Sequence, residues 1–209
     1  ETTMDELSAL ADQFYTLARE WVKHQMAPRW GVALDTHGKE IILIALGMGK
    51  LGGKELNFSS DIDLIFCYAQ KGQTSTGRRS EDYQIYFTKM AQKIIQLLDS
   101  VTADGRVFRV DMRLRPFGDS GPLVSSFDAL EDYYQDQGRE WERYALLKAR
   151  PLGLSTDITN SELTQQQLLM QVLKPFVYRR YIDYSVIDAL RKMKRQIQQE
   201  VKRRNLTLN

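Results

Sequence analysis

The chain has 209 residues, of which 43% are hydrophobic and 27% charged, an ordinary balance for one globular domain with a sizeable core and helical extensions. Lys and Arg number 29 against 27 Asp and Glu, a formal net charge of +2. No strong basic field supports non-specific nucleic-acid binding, and any such contact would have to rest on local patches. The single cysteine, Cys67, lies in an apolar run. It excludes a disulfide framework and points to a reducing, cytoplasmic compartment. The longest uninterrupted apolar run, Ile41 to Leu46, is far too short to span a membrane. Asp5 and Glu6 stand where a signal peptide carries basic residues. A chain that opens on Glu1 reads as a piece of a longer protein.

Leu7, Leu10, Ala11, Phe14, Leu17, Ala18, Trp21 and Val22 recur at helical spacing, which predicts an amphipathic helix from about Thr3 to Gln25, ended by Pro28 and Gly31. Glu40 to Leu46 predicts a buried strand, Gly47 to Gly53 a glycine-rich turn, and Asp61 to Tyr68 a second strand. Lys71 to Arg79 is a polar loop, and the period from Tyr83 to Leu98 predicts a long helix. Val107 to Arg115 alternates like a third strand, stopped by Pro116. Ser125 with Asp128 resembles a capping box that opens a helix through Tyr134. Trp141 to Ala149 reads as helical, and the tail from about Ser161 to Arg204 as two helices around Pro175. The chain then divides into an N-terminal helix (1–30), an α/β core (38–150) and a C-terminal helical extension (160–209).

Gly47-Met48-Gly49-Lys50-Leu51-Gly52 matches the dinucleotide-binding pattern G-x-G-x-x-G. That pattern needs a full helix after its last glycine, because a parallel crossover takes a dozen or more residues. Only Gly53 to Ser60 separates this turn from the next strand. The acids also open the second strand, whereas a ribose-binding acid closes it. A P-loop is excluded as well, since no G-K-[ST] follows four residues after a glycine. The glycines as a plain tight turn remain the bland alternative.

Alternate residues of a strand share a face, so Asp61 and Asp63 point one way with Ile65 and Cys67. Two same-face carboxylates repel, and a divalent cation neutralises them; hard oxygen ligands suit Mg2+ or Mn2+. On the third strand Arg109, Asp111, Arg113 and Arg115 share a face. If the two strands are neighbours, Asp111 joins as a third ligand, with Arg113 and Arg115 beside it to hold phosphate oxygens. The glycine turn supplies backbone N–H groups for phosphate, and Lys50 adds a charge. A solvated, salt-bridged sheet face is the alternative. The assembly reads as phosphoryl or nucleotidyl transfer by two metals. His24 and His37 lie apart and suggest no metal site. Cys67 reads as a small buried hydrophobe. Trp141, Tyr144 and Leu147 read as core, and Arg139, Arg143 and Arg150 as contacts to phosphate or a partner, or else as a solvated face.

Gly49, then eleven residues, then Asp61-Ile62-Asp63 resembles the signature of the DNA polymerase beta-like nucleotidyltransferase superfamily. GMGKLGGKELNFSSDIDLIF, VDMRLRPFGDSGPLV, EDYYQDQGREWERYALLKAR and KPFVYRRYIDYSVIDALRKMK resemble one branch, the bifunctional glutamine synthetase adenylyltransferase/adenylyl-removing enzymes. The resemblance implies an α/β (α+β) nucleotidyltransferase fold, a small mixed sheet with flanking helices. It implies Asp61, Asp63 and Asp111 as metal ligands and catalytic acids. It extends a phosphate-binding role to Gly49, Lys50, Ser60, Arg113 and Arg115. NFSSDIDLIF, MRLRPFG and WERYALLKAR are similar to the N-terminal module, which removes AMP from a glutamine synthetase tyrosine by phosphorolysis and gives ADP. The implied partners are glutamine synthetase, ADP or ATP, inorganic phosphate and, through the parent enzyme, the PII signal protein. The rival readings are ATP-dependent adenylylation on the same site, a catalytically silent nucleotide-binding regulatory domain, and a polynucleotide polymerase, which the modest net charge disfavours.

Overall fold

The computed structural model describes residues 2–153, 159–178 and 194–195. Contacts divide the chain into two units, residues 1–177 and 178–209. The second helix expected in the tail, between Pro175 and about Arg204, lies almost wholly outside the described residues.

The first unit carries α1 (Thr2–Trp30), β1 (Ile44–Gly47), α2 (Gly49–Gly52), β2 (Ile62–Tyr68), α3 (Tyr83–Asp99), β3 (Val110–Asp111), β4 (Val124–Ser126), α4 (Phe127–Asp136), α5 (Glu140–Leu146), β5 (Arg150–Pro151) and α6 (Asn160–Val177). The sheet is small and mixed, in the order β3-β2-β1-β5 with β4 also on β2. β1 runs antiparallel to β2 and to β5, whereas β3 and β4 run parallel to β2. An antiparallel β1–β2 pair joined through a four-residue helix is incompatible with a dinucleotide-binding crossover.

The alternation along β2 divides the core in two. Ile62, Leu64, Phe66 and Tyr68 pack with α1 and α3, while Ile65 and Cys67 pack with α4, α5 and α6. Tyr68 stacks on Phe87 at 4.8 Å, and Tyr134 of α4 stacks on Phe176 of α6 at 4.9 Å. Asp82 caps α3, accepting the Gln84 N–H at 2.8 Å. α6 packs chiefly on α4 and falls within the first unit.

Several expectations change. α1 runs through Pro28, because a proline in the last turn costs only one intrahelical bond; the stop is Gly31, at φ +73°. Gly31 is needed there twice over, since a Cβ would also fall 2.1 Å from Thr76 Oγ1. The α1 face against the core is Ser8, Ala11, Tyr15, Ala18, Val22 and Met26, while Leu10, Phe14, Leu17 and Trp21 form an exposed row beside it. α6 likewise continues across Pro175 to Val177. The cap of α4 is Ser126, which accepts the Ala129 N–H at 3.3 Å; Ser125 lies on β4.

Candidate active site

The third strand is shorter than its alternating sequence predicts. Pairing with β2 covers only Ile62 with Val110 and Asp63 with Asp111. It stops at an Asx-turn, in which Asp111 Oδ1 accepts the Arg113 backbone N–H at 2.8 Å. Two further turns come next, Arg115 N–H to Met112 carbonyl at 3.3 Å and Gly118 N–H to Arg115 carbonyl at 2.8 Å. Arg113 and Arg115 therefore do not extend a strand face beyond Asp111, as alternation alone would have it. The Arg113 guanidinium folds back on the Asp111 carboxylate, with Nε 2.8 Å from Oδ2 and Nη2 closer still. Arg115 donates to the Met112 carbonyl at 2.7 Å and lies 3.4 Å from Asp119, so it holds the turn together.

Asp63 and Asp111 stand at paired positions of adjacent parallel strands, and Asp61 precedes β2 on the same face as Asp63. Burial pushes the Asp63 carboxyl above the usual carboxylate range, and the charges of Asp111 and Asp61 push it further, against the pull of Arg113 and Lys50. Asp111 is held below that range, chiefly by the Arg113 hydrogen bond. Asp61 pairs with Arg109, whose Nε lies 2.5 Å from Oδ1.

The glycine turn reaches the acids directly. Met48 donates its N–H to the Asp63 carbonyl at 2.9 Å, and Gly49 sits at φ +53°. A Cβ on Gly49 would lie 2.9 Å from Asp63 Oδ2, so only glycine leaves that carboxylate room. Lys50 Nζ donates to Ser60 Oγ at 3.0 Å, and Ser60 donates to Asn57 Oδ1. On the far side the turn is braced by Arg150, which clamps Asp12 of α1 at 2.6 and 3.0 Å and donates to the Leu51 carbonyl at 3.2 Å. Arg150 is thus a structural clamp, not a phosphate contact. Arg143 pairs with Glu140 at 3.0 Å and lies over the Phe176 ring.

The structure gathers Asp61, Asp63, Asp111, Gly49, Lys50, Ser60 and Arg113 around the start of β2 and leaves Arg115 to its loop. Among the described residues no three His, Cys, Asp or Glu side chains are gathered as a ready cation cluster. Two of the three acids are turned onto arginines instead. The donor set nevertheless fits a hard divalent cation. Asp63 and Asp111 stand at paired strand positions, and Asp61 is close enough to join Asp111 in raising the Asp63 carboxyl. Sequence reasoning placed Arg109 on the face of Asp111 but gave it no role. Its position two residues before Asp111 was the available signal. No described helix is long and apolar enough to cross a membrane.

Residues 1–166 match the family described as glutamate-ammonia ligase adenylyltransferase. The chain belongs to that family. Among curated relatives, the bifunctional glutamine synthetase adenylyltransferase/adenylyl-removing enzyme of Shewanella loihica is 56% identical over 204 residues, covering 98% of this chain and 21% of the relative. Proteins with the same description from Alteromonas mediterranea and Mannheimia haemolytica are each 54% identical, over 208 and 209 residues, with 20% and 21% of the relative covered. This adenylyltransferase-family chain therefore spans about a fifth of the length of the curated relatives it matches. The name those relatives share joins an adenylyltransferase with an adenylyl-removing activity and does not divide the two along the polypeptide.

Proposed function

We propose that this chain is a polymerase beta-like nucleotidyltransferase module that removes AMP from an adenylylated tyrosine of glutamine synthetase by phosphorolysis. The observation that carries the reading is the pairing of Asp63 with Asp111 across two parallel strands, with Asp61 two residues away and Gly49 leaving space beside Asp63. Asp61, Asp63 and Asp111 would hold Mg2+, with Mn2+ as the alternative. Such cations, when bound, neutralise the acids and stabilise charge on the entering and leaving oxygens.

The residues of the chain do the rest. Lys50 and Ser60 place a cation and a hydroxyl beside the acids, and Arg113 adds a guanidinium fork that suits phosphate oxygens. Gly49 completes the phosphate-binding set. An oxygen of inorganic phosphate attacks the AMP phosphorus, the bond from phosphorus to the tyrosine oxygen breaks, ADP leaves, and the tyrosinate takes up a proton. A tyrosine has a pKa of about 10, so a developing tyrosinate near neutral pH benefits from positive charge at the site. Arg113 is paired with Asp111 and would exchange that partner for phosphate during the cycle. The direction of the reaction rests on the motif wording NFSSDIDLIF, VDMRLRPFG and WERYALLKAR. The setting is the cytoplasm, with the PII signal protein acting through the parent enzyme.

The test mixes the full-length parent with AMP-modified glutamine synthetase, phosphate and Mg2+ and follows ADP. Asp63→Asn should abolish ADP release and spare ATP-dependent modification. A variant that keeps AMP removal but loses ATP-dependent modification would assign this module the opposite direction.

A further inference from the structure

Arg109 belongs to neither the proposed cation ligands nor the proposed phosphate contacts, yet it joins Asp61 to the loop that carries Ser60. Its Nε lies 2.5 Å from Asp61 Oδ1. Its Nη2 donates to the Ser59 carbonyl at 3.1 Å, and its own carbonyl accepts the Ile62 N–H at 2.8 Å. The side chain thus ties the first acid to the loop that carries Asn57 and Ser60, and through Ser60 to Lys50. The Asp61 side chain is 42% exposed, but its Oδ1 is shut off from solvent. The exposed polar surface of that carboxylate is therefore Oδ2. With Arg109 itself 57% exposed, the pair contributes little to the fold.

We infer that Arg109 is a positioning residue for Asp61: it takes up Oδ1 and leaves Oδ2 as the oxygen that meets a divalent cation. This rests on the reading of Asp61 as a cation ligand. Carboxylates that bind a cation through one oxygen are commonly fixed through the other, and the fixing group sets the ligand's orientation. A guanidinium that merely substitutes for the cation behaves differently. It competes with the metal, so its removal tightens divalent binding. Removal of a positioning guanidinium loosens it. The two roles differ in sign.

The experiment uses the full-length parent and Mn2+ alone as the probe, with free Mn2+ followed by electron paramagnetic resonance. Arg109→Ala should weaken Mn2+ binding about tenfold and lower kcat for AMP release by about the same factor, with the KM for modified glutamine synthetase unchanged. Arg109→Lys should recover part of the loss, because an ammonium supplies the charge but not the planar bridge between Asp61 and Ser59. Unchanged or tighter Mn2+ binding in Arg109→Ala overturns the inference. Should that variant melt early, Arg109→Gln carries the same comparison. Asp61→Asn separates the two levels. If it leaves Mn2+ binding and AMP release at parental values, the ligand reading falls and takes this inference with it. If it abolishes AMP release and removes Mn2+ sites from the parental stoichiometry while Arg109→Ala leaves the affinity of those sites unchanged, only the positioning role falls.

Discussion

Asp63 holds a charge that the folded chain resists. Burial, Asp111 and Asp61 all raise its folded-state pKa above the unfolded value. The folded chain therefore binds that proton more tightly than the unfolded chain does. The stabilising contribution is fully present below the unfolded pKa and is lost as pH rises through the folded one. In cation-free solution Asp63→Asn should accordingly raise Tm at pH 7, with the advantage shrinking as pH falls into the ordinary carboxylate range. Calorimetry with a chelator checks it, and an equal or lower Tm at pH 7 would show that the acids do not strain one another. Gly49→Ala makes a second case. Its left-handed backbone costs a non-glycine residue about 1–2 kcal/mol, and the new Cβ meets Asp63 Oδ2 at 2.9 Å. Asp63 must swing aside, so turnover in the proposed reaction should fall about a hundredfold, more than lost stability explains. Parallel measurement of turnover and thermal unfolding separates the two effects. At this scale the sequence was informative about Asp61, Asp63 and Asp111, because alternation on a strand is a local rule. It was silent on Arg113 folding onto Asp111, because an Asx-turn overrides alternation one residue later.

The elements are joined by a few buried charges whose partners lie far apart in sequence. Arg19 of α1 meets Glu162 of α6 at 2.7 Å, with side chains only 6% and 10% exposed. Removing Glu162 leaves the buried Arg19 with only the more exposed Glu20, at 3.2 Å, to balance its charge. Glu162→Leu should cost up to about 3 kcal/mol, while the double change Arg19→Met with Glu162→Leu should regain most of it. Chemical denaturation of the four proteins in the cycle measures this, and a single-variant cost below about 1 kcal/mol would show that the pair is solvated. Glu142 plays a similar part locally, accepting the Tyr133 hydroxyl and the Arg139 N–H, each at 2.7 Å. None of these pairings has a sequence signature. The helices themselves were legible, α3 above all, because seven of its residues repeat at helical spacing and are buried. α1 was legible as a helix but not in its buried face, since two apolar rows run side by side and spacing alone does not say which meets the sheet. β4 and β5, at three and two residues, are too short to show any period.

For the molecule as a whole, the exposed row on α1 matters most. Leu17 is 66% and Trp21 53% exposed, in line with Leu10 and Phe14. Apolar residues open to water on one helix face promote association. The 209-residue chain alone should therefore self-associate with rising concentration, and Leu17→Lys with Trp21→Lys should suppress it. Sedimentation velocity decides; a monomer at all concentrations before substitution would rule the effect out. The way the edge of β2 is completed has a different consequence. Along that edge the pairing partner jumps from Asp111 to Val124 while β2 advances only from Asp63 to Phe66. Residues 112–123 are thus an excursion whose two ends are stitched to one strand. Lengthening such an excursion costs loop-closure entropy that grows only slowly, and it shifts neither strand's register. Changes of length beyond the turns of Arg113 and Arg115 therefore leave Asp63 and Asp111 in step, because the strands on either side of the excursion are each paired to β2 independently.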